Sequence, residues 1–150
     1  MNTVVDQPDD LLSLVGRPLG STDWMEITQE QVNLFADATG DHQWIHTDTS
    51  RASNGPFKGT VVHGYLTLSL APVVISKVLE IRELTAALNY GIDKVRFPAP
   101  LRVGSQVRAT VTVMRARQKT SGVEAVFTIV YEIAGGPRPA CVADVIVLYP

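Results

Sequence analysis

The hydrophobic positions in the second half of the chain recur at every second residue, which is the period of a β-strand. Such alternation runs through residues 88–92, 107–113 and 123–133, and a further apolar run closes the chain at 141–149. Segments rich in Pro, Gly and polar residues separate these runs at turn-like intervals. Since each alternating run has one apolar face, the pattern predicts an antiparallel meander of strands.

Signals for a helix precede these strands. Thr28 and Gln31 have the spacing of a capping box, in which each side chain binds the backbone N–H of the other residue. Val32 and Ala36 then fall on one helical face. Gly40 is expected to end this helix, because a glycine adopts the left-handed conformation that other residues resist.

A second helix is predicted from the apolar segment 61–79, which is too long for a typical strand. Pro72 is expected to kink this helix because it has no N–H for the preceding turn. Residues 41–58 carry few periodic apolar positions and a strong turn signal, so they are predicted to form a long ordered loop. The predicted fold class is therefore α+β, with an antiparallel β-sheet wrapped around a central α-helix.

The length of 150 residues fits a single domain over 1–150, in which residues 1–15 are expected to be peripheral and 16–24 to form a short irregular strand. Hydrophobic residues make up 45% and charged residues 19%, which is typical of folded globular proteins. The net charge of −2, without a cluster of Lys and Arg, argues against a nucleic-acid partner. Polar residues interrupt the segment 61–79, so no membrane span is predicted.

The compartment is expected to be the cytoplasm. The first ten residues carry acids where an export signal carries bases. Cys141 is the single cysteine, which excludes an internal disulfide and agrees with a reducing compartment. Because Cys141 lies in an apolar run, we expect it to be a small buried hydrophobe rather than a nucleophile.

The densest cluster of reactive side chains is residues 40–48, where Asp41 and His46 are five positions apart. A carboxylate and an imidazole around one water can remove a proton from it and return a proton to a neighbouring carbon, as hydration of an activated double bond requires. The spacing alone also fits a turn Asp that caps local amides and a surface His. His42 has no partner in the sequence and is expected to be solvated.

A second candidate lies at the start of the predicted central helix, where His63 precedes Gly64. A glycine lets a substrate oxygen approach the backbone closely, and the Gly64 N–H at the positive helix end could stabilise an enolate oxygen. His63 fits either a catalytic role or the packing and capping role of a histidine that satisfies buried amides.

These segments together resemble the MaoC-like family of (R)-specific enoyl-CoA hydratases, which have the hotdog fold. The family motif of Gly-Asp, a variable residue, Asn-Pro, an aliphatic residue and His corresponds here to residues 40–46, with Gln43-Trp44 in place of Asn-Pro. Residues 59–66 resemble the start of the family's central helix, and residues 96–104 resemble the strand, loop and strand that follow it. The similarity spans about residues 20–148, with the motifs in the family's order.

The resemblance implies that Asp41 and His46 activate the water, that the Gly64 N–H binds the thioester carbonyl, and that His63 and Gln43 help to bind the substrate. It implies an acyl-CoA or acyl-carrier-protein thioester as substrate, with no metal and no organic cofactor. It also implies a homodimer with the substrate tunnel near the interface. Three cations, Lys94, Arg96 and Arg102, could bind the phosphates of coenzyme A or could be solvated surface charges.

Two alternatives remain open at the level of the sequence. A hotdog thioesterase directs water at the carbonyl carbon and needs no His five residues after its Asp, so His46 argues against it. A non-catalytic acyl-binding subunit of a dehydratase heterodimer would normally have lost the Asp–His pair, which is intact here.

Overall fold

A computed structural model describes residues 2–150. The α-helices are Gln29–Thr39 (α1), Trp44–Thr47 (α2), Thr49–Ser53 (α3), Gly64–Ser69 (α4) and Ala71–Val78 (α5), and a 3-10 helix covers Pro8–Leu14. The β-strands are Thr3–Val5 (β1), Pro18–Ser21 (β2), Met25–Glu26 (β3), Leu79–Ile81 (β4), Leu88–Arg96 (β5), Gln106–Lys119 (β6), Gly122–Ile133 (β7) and Cys141–Tyr149 (β8).

One antiparallel sheet of six strands forms the body of the fold. Its order is β2-β6-β7-β8-β5, and β3 also pairs with β6. The predicted meander is confirmed for β6, β7 and β8, which are neighbours in the sheet as they are in the chain. Helices α4 and α5 cover the apolar face of this sheet and bury Leu66, Val74 and Val78 in the core. The predicted α+β architecture is therefore confirmed.

The start and end of α1 follow the local sequence signals. Thr28 accepts a hydrogen bond from the Gln31 N–H, and the Gln31 side chain binds the Thr28 N–H at 2.9 Å, so the capping box is confirmed. Gly40 ends the helix with φ of 83°, which is the left-handed conformation that a Cβ would penalise. The chain consequently leaves the helix at Gly40 and turns directly into Asp41.

Two predicted elements differ from the structure. The single central helix is two helices, because Pro72 lies in the first turn of α5 and cannot donate an N–H to the preceding turn, so the helical ladder is interrupted at Leu70. The predicted loop 41–58 contains the short helices α2 and α3, and α3 is capped by the Asp48 carboxylate. Short polar helices of one turn carry too little apolar periodicity for a pattern to reveal.

The N-terminal segment is more integrated than expected. Strand β1 pairs in parallel with β4, and Leu11 in the 3-10 helix is fully buried in the core. The expectation that residues 1–15 are peripheral is therefore wrong at Leu11. Within residues 2–150, no helix combines the length and the hydropathy that crossing a lipid bilayer requires.

The strand β5 lies at the edge of the sheet and does not present the single apolar face that alternation predicts. A bulge between Asn89 and Gly91 interrupts its pairing with β8. Beyond the bulge Ile92 lines a groove beside the helices, whereas Tyr90 lies under the ammonium of Lys119, with 5.0 Å between that nitrogen and the ring centre. A bulge changes which face the following side chains occupy, and no sequence alternation records it.

Candidate active site

A tight turn after α1 brings Asp41 and His46 to the same place. The Gln43 N–H donates to Asp41 Oδ1 at 3.3 Å, which is the geometry of an Asp side chain holding the backbone two residues on. One helical turn, α2, follows, and it directs His46 back toward the carboxylate. The distance between Asp41 Oδ2 and His46 Nε2 is 4.0 Å. The structure therefore brings together the pair predicted from the sequence.

The ring of His46 is held in one orientation. His46 Nδ1 lies 2.6 Å from the carbonyl oxygen of Val61. Because a carbonyl only accepts hydrogen bonds, Nδ1 carries a hydrogen, and the other ring nitrogen, Nε2, faces Asp41. The His46 side chain is 9% exposed and the Asp41 side chain is 50% exposed. The pair thus combines a buried, oriented imidazole with a carboxylate open to solvent.

His63 is a third member of this cluster. Its ring stacks on His46 with 3.8 Å between ring centres, and Phe35 packs nearby at 4.9 Å. His63 Nε2 lies 3.0 Å from the backbone oxygen of Asp41 and 4.0 Å from the Asp41 Oδ2 carboxylate oxygen. The carbonyl again requires that the ring nitrogen donates, so His63 Nε2 carries a hydrogen.

The environment of His63 favours its neutral form. Burial is the largest influence and lowers the pKa of His63 below its usual 6.5, with the neighbouring His46 acting in the same direction. The hydrogen bond to the Asp41 carbonyl opposes this shift. The other ring nitrogen, Nδ1, is buried without a hydrogen-bond partner in residues 2–150. His63 therefore packs within the cluster, and its role in catalysis stays a prediction.

Gly64 begins α4 directly after His63. Among the described residues, no hydrogen bond takes up its N–H, as is usual for the first N–H of a helix. A Cβ at this position would lie 3.1 Å from two ring carbons of Phe97. A side chain at position 64 would therefore have to displace the partly exposed ring of Phe97 by a few tenths of an ångström.

The remaining predicted residues lie farther from the cluster or act through their backbone. Gln43 is exposed; its N–H binds Asp41, and its carbonyl accepts the N–H of His46 at 3.0 Å. His42 is exposed, as expected, with Nε2 3.7 Å from Asp37 Oδ1. The side chains of Arg96 and Arg102 donate to backbone carbonyls, and Lys94 is exposed.

The three central side chains also have the types that bind metal ions. Asp41, His46 and His63 place one potential ligand atom each within 4.8 Å of one another. However, a ligating nitrogen carries no hydrogen, and His63 Nε2 has to donate to the Asp41 carbonyl. Moving that hydrogen to Nδ1 would leave a buried N–H without an acceptor in the described chain. Metal binding through His63 Nε2 would therefore cost its hydrogen bond to the Asp41 carbonyl.

A residue that the sequence did not single out, Gln29, also contacts the site. Its side-chain amide binds the backbone oxygen of His46 at 2.8 Å and the hydroxyl of Thr60 at 2.6 Å. Gln29 is the first residue of α1, where a side chain generally faces solvent, so only the tertiary structure identifies it.

An apolar groove of ≈ 520 Å³ lies along α4 and α5. Tyr65, the residue after Gly64, lines one part of it, and Ser69, Ile75 and Ser76 line it further along α4 and α5. The edge strand β5 and its neighbour β8 also line the groove. Asp41, His46, His63 and Gly64 do not line it.

Comparison with known proteins identifies the family and the fold of this chain. The chain is 49% identical over 141 residues to 3-hydroxyacyl-thioester dehydratase Z of Mycobacterium tuberculosis, covering 93% of each sequence. Its fold matches the (R)-hydratase from A. caviae involved in PHA biosynthesis, with a TM-score of 0.74 and 24% identity, over 91% of this chain and 96% of that one. It also matches a chain of the ChsH1–ChsH2 complex from Mycobacterium tuberculosis, with a TM-score of 0.73 and 18% identity, over 92% and 99%.

These structural neighbours identify the hotdog fold that the sequence motifs predicted. The family model described as MaoC like domain matches residues 10–132, which is most of the chain. The chain belongs to the MaoC-like dehydratase family.

Proposed function

We propose that this protein catalyses the reversible addition of water to trans-2-enoyl thioesters, giving (R)-3-hydroxyacyl thioesters, with Asp41 and His46 as the acid–base pair. The observation that carries the proposal is the 4.0 Å gap between Asp41 Oδ2 and His46 Nε2. One water at ordinary hydrogen-bond distances of about 2.8 Å from both atoms spans that gap. The name of the 49% identical relative, a 3-hydroxyacyl-thioester dehydratase, supports the reaction class.

The proton and electron changes balance within this pair. As one proton leaves the water for the pair, its oxygen forms a bond to the β-carbon of the enoyl group. The electrons of the double bond move onto the thioester oxygen as an enolate, and a proton from the pair then forms the new bond at the α-carbon. The pair returns to its starting state, so the reaction requires neither a metal nor an organic cofactor. Such acid–base catalysis is worth about 10² to 10⁴ in rate.

The backbone N–H of Gly64 is a candidate hydrogen-bond donor to the enolate oxygen. The Gly64 N–H begins α4, and no acceptor within the described residues uses it. A hydrogen bond that strengthens as charge develops on an oxygen typically contributes about 10² to 10³ in kcat. In this proposal the Gly64 N–H binds the thioester carbonyl, while Asp41 and His46 act on the carbons beside it. His63 and Gln43 shape the site around the substrate.

The acyl chain is proposed to lie in the apolar groove. Tyr65, the residue after Gly64, lines the groove, and so do further residues of α4 and α5. A thioester held at Gly64 can therefore extend its hydrocarbon chain past Ser69 toward Ser76. The carrier, coenzyme A or an acyl carrier protein, would remain on the exposed side of Asp41.

The protein is further proposed to act as a homodimer in the cytoplasm. The nine-residue strand β5 is an edge strand, and its apolar residues Leu88, Tyr90 and Ile92 are each about half exposed in the single chain. A long apolar edge that stays unpaired promotes aggregation, and pairing with the same strand of a second copy removes it. The buried free thiol of Cys141 agrees with a reducing compartment.

The central experiment incubates the purified protein with crotonyl-CoA and follows loss of the conjugated enoyl absorbance together with release of free thiol. Loss of absorbance without free thiol is expected, and the hydrated product should have (R) configuration. Release of thiol with the alkene intact would show a thioesterase instead. No change in either signal would fit a non-catalytic acyl-binding subunit.

Substitutions then test the pair. Asp41→Asn and His46→Gln should each remove nearly all hydration while the protein stays folded by circular dichroism. Asp37→Asn is the matched control, because Asp37 also lies beside a histidine, His42, but at the surface and outside the cluster. A wild-type rate in Asp41→Asn or His46→Gln would remove that residue from the mechanism.

A further inference from the structure

The side-chain amide of Gln29 connects three segments of the site. Gln29 Nε2 donates to the backbone oxygen of His46 at 2.8 Å and to Asn33 Oδ1 at 3.0 Å. Gln29 Oε1 accepts the hydroxyl of Thr60 at 2.6 Å. Helix α1, the helix that carries His46 and the segment leading into α4 are thereby joined through one planar group.

The orientation of this amide follows from its partners. The His46 carbonyl can only accept, so the NH₂ end of Gln29 has to face it, and the oxygen end then faces Thr60. The buried Thr60 hydroxyl donates to that oxygen and opposes rotation of the amide. The two N–H groups and the oxygen of the Gln29 amide therefore each have a hydrogen-bond partner. Two of these partners, His46 and Thr60, belong to the site.

Thr60 also lies next to the residue that orients the His46 ring. The carbonyl of Val61 accepts His46 Nδ1, and the Val61 N–H donates to the Ile45 carbonyl at 2.9 Å. Gln29 consequently fixes the His46 backbone on one side and the segment holding its ring on the other. A shift between these two segments would rotate His46 Nε2 away from Asp41.

We propose that Gln29, supported by Thr60, is the positioning residue that holds His46 Nε2 in line with Asp41 for the hydration reaction. Gln29 acts through His46 and has no contact with the reacting atoms. This inference rests on the proposed hydratase function, and it predicts a change in kcat rather than in KM. A misplacement of reacting groups by about 1 Å lowers rates by as much as about 100-fold.

The test compares four variants with wild type by steady-state kinetics on crotonyl-CoA, together with thermal unfolding. Gln29→Met keeps the length of the side chain and removes all three hydrogen bonds of its amide, and Thr60→Val removes only the hydroxyl. Thr60→Ser restores the hydroxyl and is the conservative rescue. Asn33→Ala is the matched control, because Asn33 binds Gln29 but has no hydrogen bond to His46 or Thr60 among the described residues.

We expect Gln29→Met to lower kcat by about 10- to 100-fold with little change in KM. Thr60→Val should lower kcat in the same direction by less, whereas Thr60→Ser and Asn33→Ala should stay within about twofold of wild type. Unchanged kcat in Gln29→Met overturns the inference, even if its melting temperature falls. An equal loss in Asn33→Ala also overturns it, because that would indicate general loosening of α1.

A second readout separates this inference from the proposed function. The ¹⁵N shifts of the His46 ring report which nitrogen carries the hydrogen, and wild type should show the Nδ1–H form. Gln29→Met should convert this to a mixture of both forms, and Asn33→Ala should not. If wild type has no hydratase activity, the proposed function fails, and the tautomer ratio alone decides the positioning role: an unchanged ratio overturns it.

Discussion

Narrowing the apolar groove should shorten the acyl chains that the enzyme accepts. Ser69 and Ser76 both line the groove and are exposed, so a larger side chain at either position can enter the groove without disturbing the core. Ser69 ends α4 and lies five residues after Gly64, whereas Ser76 lies in α5 and twelve residues after Gly64. Ser69→Phe therefore blocks the groove near Gly64, and Ser76→Phe blocks it only at the far end.

The expected magnitude follows from the burial of methylene groups. Each buried CH₂ contributes about 0.8 kcal/mol, so four of them contribute about 3 kcal/mol, or roughly 200-fold in kcat/KM. This is an upper value, because one side of the groove is open in the single chain. We expect Ser69→Phe to lower kcat/KM for trans-2-octenoyl-CoA by about 10- to 200-fold relative to its effect on crotonyl-CoA. Ser76→Phe should affect only longer acyl chains.

The assay measures kcat/KM for a series of trans-2-enoyl-CoA substrates from four to twelve carbons. Val73→Phe is the matched control, because Val73 is exposed on α5, the helix of Ser76, but does not line the groove. The reasoning is refuted if Ser69→Phe lowers kcat/KM equally for all chain lengths, or leaves all of them unchanged. The acyl chain would then lie elsewhere.

Three further predictions concern the metal dependence of activity, the pH dependence of stability and the dimer interface. Dialysis against EDTA should leave kcat within about twofold, and a loss that Zn²⁺ restores would contradict the donor role of His63. The lowered pKa of His63 means that, as pH falls below 6.5, the unfolded state takes up a proton that the folded state resists. The free energy of unfolding of wild type should therefore decrease from pH 7 to pH 5 more steeply than that of His63→Gln, and equal slopes in urea unfolding would refute this. Replacing Leu88 and Tyr90 with Lys should weaken the dimer in analytical ultracentrifugation, whereas Leu34→Lys on exposed α1 should not; an unchanged dimer would place the interface elsewhere.

Elements fixed by neighbouring residues could be predicted from the sequence. The capping box at Thr28 and the left-handed Gly40 depend on contacts within one helical turn, and both are present. The long strands β6, β7 and β8 show plain alternation because one of their faces is the core. The bulge in β5 and the helices α2 and α3 were not predicted, since their causes are strand pairing and polar caps rather than apolar periodicity.

In the candidate site, too, local contacts could be predicted from the sequence and tertiary contacts could not. The spacing of Asp41 and His46 predicted a pair, and one turn and one short helix bring the two side chains within 4.0 Å. The stacking of His63 on His46 and the bonds of Gln29 to His46 and Thr60 join residues that are 17 to 31 positions apart in the chain. Such contacts arise from the tertiary fold, so a single sequence left the role of His63 open and gave no signal for Gln29.

Contacts from residues 60–64, at the start of α4, hold the Asp41–His46 pair in its geometry. Thr60 binds the Gln29 amide, and the Val61 carbonyl orients the His46 ring. His63 stacks on that ring and binds the Asp41 backbone, while Gly64 provides the free N–H. Because most residues of this segment make one of these contacts, a one-residue insertion or deletion in it would misalign all of the contacts at once. The motif at 41–46 supplies the reactive groups, and the segment at 60–64 determines whether they face each other and the substrate.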